Sequence, residues 1–299
     1  MHATLTYFQA VVMGLLQGVS ELFPVSSLGH SVLIPALLGW HDLVSSQSAT
    51  QSFFLVFVVG LHVGTAVGLI VFYRRTWGDL LGALWRQLSL ARREGVAALW
   101  RVRDPSTDRH YRLLFMLVVA TIPVGLAGLV FDKTLRVLFA KPLAAAIFLT
   151  LNGLVLLFAE YWRRSLGRHA RTTPLAQVTS RGAFAIGSAQ ILALFAGFSR
   201  SGTAMTAGLL EGLDHEDAAT FSFLLATPVI LLAGLYKLPE LAGPLGHGVR
   251  LQTLIGAVCA LVTAYASVRF LVRWFTTRTL TPFGIYSIVL GLICVVRFA

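Results

Sequence analysis

Few side chains in this sequence can do acid–base or phosphate chemistry while lying inside apolar stretches: Glu21, His30, His62, Arg200 and, at the end of one stretch, Glu211. Ionisable groups in such surroundings are costly and mark sites with a partner. The first cluster is Gln17-Gly18-Val19-Ser20-Glu21-Leu22-Phe23-Pro24-Val25-Ser26-Ser27-Leu28-Gly29-His30. Gln17 and Glu21 are four apart, so both polar heads fall on one helix face. Pro24 ends that helix. Ser26 and Ser27 stand where the next helix opens, with free N–H groups and a positive dipole end, which suits an anion. A plain N-cap accounts for one serine, but not for Glu21 and His30 beside it. The second cluster is Gly197-Phe198-Ser199-Arg200-Ser201-Gly202, followed by Thr203. An arginine between serines and glycines offers bidentate donors, hydroxyls and close backbone approach, the parts of a phosphate cradle. A structural Arg200–Glu21 ion pair is the plainer alternative, and it does not exclude chemistry. His62 balances between a bond to a neighbouring carbonyl and a place in the site. The run Asp214-His215-Glu216-Asp217 reads as a solvated helix start.

These residues need elements to hold them. Phe53–Tyr73, Leu113–Phe131, Pro142–Ala159, Phe221–Leu238 and Leu251–Val268 are long enough to span a bilayer, and Phe283–Val296 reads as a shorter terminal span. Four further apolar segments are too short and come in pairs. Tyr7–Leu22 breaks at Phe23-Pro24 and resumes as Val25–Trp40. Gly182–Phe195 breaks at Ala196-Gly197 and resumes as Thr203–Leu213. Each pair reads as a re-entrant helix–loop–helix hairpin, and interrupted helices in corresponding places of two halves point to a midplane site. The halves correspond weakly: Pro24 to Gly29 resembles Ala196 to Gly202, and Ala36-Leu37-Leu38-Gly39 resembles Leu209-Leu210-Glu211-Gly212. One hairpin plus three spans per half makes an inverted repeat, since three is odd. The expected fold is an all-α polytopic membrane protein of about six transmembrane helices plus two re-entrant hairpins. It forms one integral membrane domain over 1–299, with repeat 1 about 1–160 and repeat 2 about 161–299.

Composition agrees. The chain has 299 residues, 56% hydrophobic and 12% charged, with a mean hydropathy of +0.76. That charge content is about half that of a soluble domain and excludes a cytosolic globular enzyme, a disordered chain and a fibre. The 24 Lys+Arg against 13 Asp+Glu would suggest nucleic acid in a soluble protein. In a membrane chain they report topology instead, and no nucleic-acid partner is expected. With the first hairpin on the outer side, 17 basic residues fall in interior segments and 6 outside, with Arg200 left within the membrane. Trp77–Trp100 reads as an interfacial amphipathic helix whose arginines face anionic membrane lipids. Met1–Tyr7 has no Lys or Arg, so no cleavable signal peptide is expected. Cys259 and Cys294 lie in apolar runs without a CxxC neighbour, so neither a disulfide nor a metal framework is expected.

The paired clusters resemble the undecaprenyl-diphosphate phosphatases of the bacitracin-resistance family. That family carries (E/Q)xxxE running into PVSSxGH, and PGxSRSxxT. The first motif is Gln17, Glu21 and Pro24 to His30; the second is Gly197 to Gly202. The resemblance extends to Ala120-Thr121-Ile122-Pro123 and to Phe221 through Pro228. Two departures stand out: Ala196 replaces the motif's proline, and Ala204 holds the threonine position, with Thr203 one place earlier. A different membrane phosphatase class uses SGH and SRx5H, but Thr206 stands where its histidine belongs.

The resemblance implies hydrolysis of undecaprenyl diphosphate to undecaprenyl phosphate and inorganic phosphate, which recycles the cell-wall lipid carrier and confers bacitracin resistance. It implies Glu21, Ser27, His30 and Arg200 as catalytic. Gln17, Ser26, Gly197, Ser199, Ser201, Gly202 and Thr203 become the substrate-binding set. In this scheme Arg200 holds the diphosphate, Ser27 attacks, His30 is the base and later the acid, and Glu21 orients His30 or holds a divalent cation (Mg or Ca). A rival scheme makes His30 the nucleophile. The expected partners are the polyprenyl diphosphate, membrane lipids and a second copy in a homodimer. The expected place is the bacterial inner (plasma) membrane, multi-pass, with the site facing the periplasm. A polyprenyl-phosphate flippase is the alternative function, because inverted repeats with broken helices are transporter architecture.

Overall fold

The computed structural model describes residues 5–40, 43, 53–102, 107–139, 141–165, 173–243 and 246–299, and the side chains of 132–139 are not part of that description. Of the residues used above for orientation and the N-terminus, 1–4, Arg103, Arg168 and Arg171 lie outside it, as do the side chains of Lys133 and Arg136. Every described element is helical. The α-helices are α1 Tyr7–Ser20, α2 Ser27–Leu37, α3 Phe53–Phe72, α4 Arg74–Glu94, α5 Arg109–Phe139, α6 Pro142–Ser165, α7 Ser180–Ala189, α8 Arg200–Leu210, α9 His215–Lys237, α10 Arg250–Phe275 and α11 Thr281–Phe298. Single turns at Val96–Trp100, Leu175–Gln177, Gln190–Leu194 and Pro239–Ala242 complete the set.

Six helical stretches are long and apolar enough to cross a membrane: Phe53–Phe72, Arg109–Phe131, Pro142–Ser165, His215–Ala242, Arg250–Phe275 and Thr281–Phe298. They coincide with the six expected spans. Large apolar side chains lie exposed along their outer faces, among them Val130, Leu235, Leu254 and Val296. Such a surface is unstable in water and matches lipid.

Apolar tails surround these helices, so lipid-facing Leu and Val gain little by leaving them for another helix; close backbone approach must hold the bundle. Glycines provide it at the main helix pairs. α1 lies on α10, where a Cβ at Gly18 would come within 2.3 Å of the Ala260 carbonyl oxygen. α3 lies on α10 through Gly64, α6 on α11 through Gly153, and α7 on α5 through Gly187. α3 also meets α9, and α9 meets α5. This pairing is compatible with α1, α2, α3, α5 and α6 corresponding in order to α7 through α11.

Both interrupted segments form broken helices, which is compatible with the expected hairpins. α1 starts at a capping box, with Thr6 and Gln9 satisfying each other's backbone N–H groups. It ends at Ser20, and Ser26 caps α2. In the second hairpin α7 is shorter than expected: it stops at Ala189 and tightens into a 3₁₀ turn at Gln190–Leu194. α8 begins at Arg200 with Ser199 as its cap, so the arginine sits in a first turn. α2 and α8 both pack on α6. There Asn152, fully buried, joins the two loops. Its Nδ2 donates to the Pro24 carbonyl at 3.0 Å, and its Oδ1 accepts from the Ser199 N–H at 2.9 Å.

The amphipathic segment forms as α4 plus the Val96–Trp100 turn, tied by Gln87 donating to the Ala98 carbonyl at 2.8 Å. Leu80 and Ala83 face the core while Leu81, Trp85 and Trp100 are exposed. Arg86 hydrogen-bonds Asp108 and holds its carboxyl below the usual range. The acidic run is a helix start, with Asp214 capping α9, but its neighbours are engaged rather than merely solvated. His215 pairs with Glu160 at 2.7 Å, and the Asp217 carboxylate accepts from the Leu175 N–H.

Two stability outcomes are expected from thermal unfolding in detergent. Gly64→Val forces a side chain into the α10 backbone and costs about 3 kcal/mol or more, whereas Gly78→Ala, with open space around it, is neutral or stabilising by up to about 1 kcal/mol. Asn152→Ala leaves two buried backbone groups unpaired, at about 1–3 kcal/mol each.

Candidate active site

The first loop is held in a conformation that its sequence alone disfavours. Ser26 has φ 70°, the one described non-glycine residue with positive φ. A left-handed residue with a Cβ costs of the order of 1 kcal/mol. The Ser26 hydroxyl offsets that cost by accepting from two N–H groups, Gly29 at 3.1 Å and Gly197 of the second loop at 3.2 Å. Gly197 itself has φ 115°, and a Cβ there would lie 2.4 Å from the Ala145 carbonyl oxygen. No other residue type allows the second loop to come this close to α6 and the first loop.

With the loops joined, Glu21 becomes the hub. It is 5% exposed and carries donors on both oxygens. Oε2 accepts from the Ser27 hydroxyl and from Gln17 Nε2 at 3.1 Å, and His62 Nε2 lies 3.2 Å away. Oε1 accepts from Arg200 Nε at 3.1 Å. Residues from α1, α2, α3 and α8 thus meet at one carboxylate. Arg200 also donates through Nη1 to the Ser222 carbonyl at 3.3 Å. Its Nη2 is buried with no hydrogen-bond partner. A buried charged donor left unpaired costs more than the usual 1–3 kcal/mol for a neutral one, so an anion at this point is stabilising.

His30 lies one turn beyond Ser26 on α2 and faces the other way. Its Nδ1 donates to the Ser26 carbonyl at 2.7 Å, which leaves Nε2 to accept from the Tyr286 hydroxyl at 2.8 Å. The two rings are nearly parallel, 5.8 Å apart. The expected couple of His30 with Ser27 is therefore replaced in this geometry by Glu21 with Ser27, and Glu21 does not orient His30.

The remaining expected residues are nearby, in capping and bridging bonds. Ser199 caps α8 on the Gly202 N–H at 3.1 Å and shares a bond with Ser201 at 3.0 Å. Ser201 also donates to the Phe23 carbonyl at 3.3 Å, another tie between the loops. Thr203 turns its hydroxyl back to the Arg200 carbonyl at 3.1 Å. Glu211 closes α8 and stays out of the cluster.

Sequence reasoning passed over two contributors. Asn152 carried a signal: it is the only asparagine in 299 residues and sits mid-span. Tyr286 carried none, being one of two aromatics in the terminal span.

An apolar groove of about 900 Å³ starts on α2. It begins at Leu28 and Val32, follows Val58 and Val59 on α3, and passes between α5 and α9 to Tyr236 and Lys237. Leu28 adjoins Ser27 in sequence, and Val58 lies one helical turn before His62. Leu126, Leu129, Leu232 and Leu235 on the rim are exposed, so the groove opens sideways onto the lipid-facing surface. The arrangement can hold an anionic head beside a hydroxyl nucleophile and an apolar chain alongside it.

Comparison with known proteins agrees with this chemistry. The family model described as "Bacitracin resistance protein BacA" matches residues 10–293. "Undecaprenyl-diphosphatase 2" of Frankia alni is 49% identical, covering 99% of this chain and 98% of the relative. "Undecaprenyl-diphosphatase" of Mycolicibacterium paratuberculosis is 50% identical over 97% of both chains. "Undecaprenyl-diphosphatase 2" of Chromobacterium violaceum is 43% identical over 95% of this chain and 96% of the relative. A match along nearly the whole length, with both loop clusters inside it, places the chain in the BacA bacitracin resistance family.

Proposed function

We propose that this chain hydrolyses undecaprenyl diphosphate to undecaprenyl phosphate and inorganic phosphate, recycles that lipid carrier for cell-wall synthesis and thereby confers bacitracin resistance. The observation that carries the reading is the buried, unpartnered Arg200 Nη2 on a guanidinium that shares the Glu21 carboxylate with the Ser27 hydroxyl. The names of the relatives support the same substrate. Phosphoryl transfer asks mainly for positioning and charge neutralisation, and the site offers both. The groove supports a lipid substrate, with the prenyl chain lying from Leu28 toward Tyr236.

In this scheme Arg200 holds the terminal phosphate. Ser27 Oγ attacks its phosphorus, and the hydroxyl proton passes to Glu21 Oε2 along the existing hydrogen bond. The bond from phosphorus to the bridging oxygen breaks, and the lipid monophosphate departs as an anion that needs no proton. Water then attacks the phosphoserine, and its proton goes to His30 Nε2, which gives up its bond to Tyr286 to take it. Inorganic phosphate leaves with the water's second proton returned to it by His30, and Ser27 is restored when Glu21 returns its own. Gln17, Ser26, Gly197, Ser199, Ser201, Gly202 and Thr203 serve by shaping and capping the two loops around the phosphate.

The donor set was also tested against a resident divalent cation. Glu21 is the sole carboxylate in the cluster and both its oxygens are engaged. Among the described residues no group of three or more His, Cys, Asp or Glu could hold a metal. The protein's own ligands therefore do not fit a built metal site. We propose that Mg or Ca arrives, where it is used, as a counter-ion of the diphosphate, and no step is routed through it.

We further propose one domain made of two inverted repeats, about 1–160 and 161–299, in the bacterial inner membrane with the site facing outward. The loop arginines support that orientation. The site is assembled within one chain, so activity is proposed for a monomer and a homodimer alike.

Three outcomes are expected. Purified protein in detergent releases phosphate from undecaprenyl diphosphate, and Arg200→Ala reduces kcat about 10²–10³-fold with the fold retained. A wild type without turnover favours lipid transport instead. The trapped phosphoenzyme is stable to acid, as a phosphoserine is; an acid-labile adduct makes His30 the nucleophile. Finally, Ser27→Cys in a chain lacking Cys259 and Cys294 reacts with an impermeant thiol reagent from the outer side, and labelling only from the cytoplasm reverses the orientation.

A further inference from the structure

His62 has no part in the scheme above, yet it touches the hub. It lies on α3, outside both motif loops, and its imidazole is fixed at both nitrogens. Nδ1 sits 2.8 Å from the Val58 carbonyl oxygen. A carbonyl can only accept, so Nδ1 carries a hydrogen. Nε2 lies 3.2 Å from Glu21 Oε2. Two bare lone pairs do not face each other at that distance, so a proton lies between His62 and Glu21. The same Oε2 receives the Ser27 hydroxyl and the Gln17 amide.

The geometry points to His62 as a positioning residue for the phosphatase reaction: by its hydrogen bond to Oε2 it holds the Glu21 carboxylate in register with Ser27. The argument is one of constraint. A glutamate side chain has three rotatable bonds, and Arg200 restrains only Oε1. Gln17 comes from the same helix as the residues leading to Glu21, so it moves with that segment. His62 comes from a separate span, whose backbone is locked against α10 at Gly64, two residues further on. It is thus the contact that ties Oε2 to the rigid bundle rather than to its own loop. Second contacts of this kind keep a reacting group within the few tenths of an ångström that proton transfer needs.

The inference rests on the proposed hydrolysis and is tested by steady-state kinetics in detergent with undecaprenyl diphosphate. His62→Ala is expected to lower kcat about ten- to a hundredfold, the effect of losing a hydrogen bond to a charged group. KM stays within about threefold, because Arg200 and the groove still bind substrate. His62→Gln restores kcat to within about tenfold of wild type, since its amide donates from the same span. In the Glu21→Gln background, His62→Ala adds little further loss, as expected for residues acting through one another. Circular dichroism and the thermal midpoint show whether each variant is folded. An active wild type with a folded His62→Ala of unchanged kcat overturns the inference alone. So does a failure of His62→Gln to rescue, or full additivity with Glu21→Gln. A wild type that releases no phosphate overturns the functional reading, and this inference with it.

Discussion

Two irregular loops meet in the apolar interior of this bundle, and every polar group they bring must find a partner there. In lipid an unpaired N–H or C=O costs several kcal/mol. The loops satisfy one another: Ser26 takes the Gly197 N–H, Ser201 gives to the Phe23 carbonyl, and Asn152 gives to one loop and takes from the other. Glu21 and Arg200, one on each side, neutralise each other across the join. Remove this mutual satisfaction and neither hairpin has a reason to break its helix where it does. The geometry of the cluster is then a by-product of the same bonds: Ser27 and Arg200 are the first helical residues after the two caps, and both reach the Glu21 carboxylate.

Much of this was legible in the sequence. The six spans were visible as apolar length, and the two breaks as Pro24 and Gly197 within runs too short to cross. Ser27 and Arg200 were recognisable as polar groups at helix openings inside those runs, and Gln17 and Glu21 as two polar heads one turn apart where the first helix ends. What was not legible depends mostly on contacts between separate helices. His30 lies in the same motif as Ser27, and only the position of α11 shows that its ring turns to Tyr286. His62 looked no different from a histidine bonded to its own helix, and it does make that bond, with its other nitrogen on Glu21. The 3₁₀ turn at Gln190–Leu194 was hidden because an apolar run has the same composition in either helix type.

Strain and order are also linked here. Ser26 holds an unfavourable backbone because three elements over-determine it: its own helix N-terminus, the second loop and α6 behind Gly197. The stored cost is small beside the bonds that impose it. It nonetheless makes the two loops one cooperative unit, since releasing either lets Ser26 relax and with it the start of α2 on which Ser27 stands.

The groove that opens sideways from Leu28 toward Tyr236 changes what concentration means for this protein. A ligand that enters through it never dissolves in the aqueous phase. Its supply is a mole fraction in a leaflet, its encounter with the site is a search in two dimensions, and its occupancy falls when other lipids crowd the same surface. Saturation of the site would thus follow the lipid composition of the membrane rather than the volume of the cell, and two membranes with equal amounts of the carrier but different areas would run it at different rates.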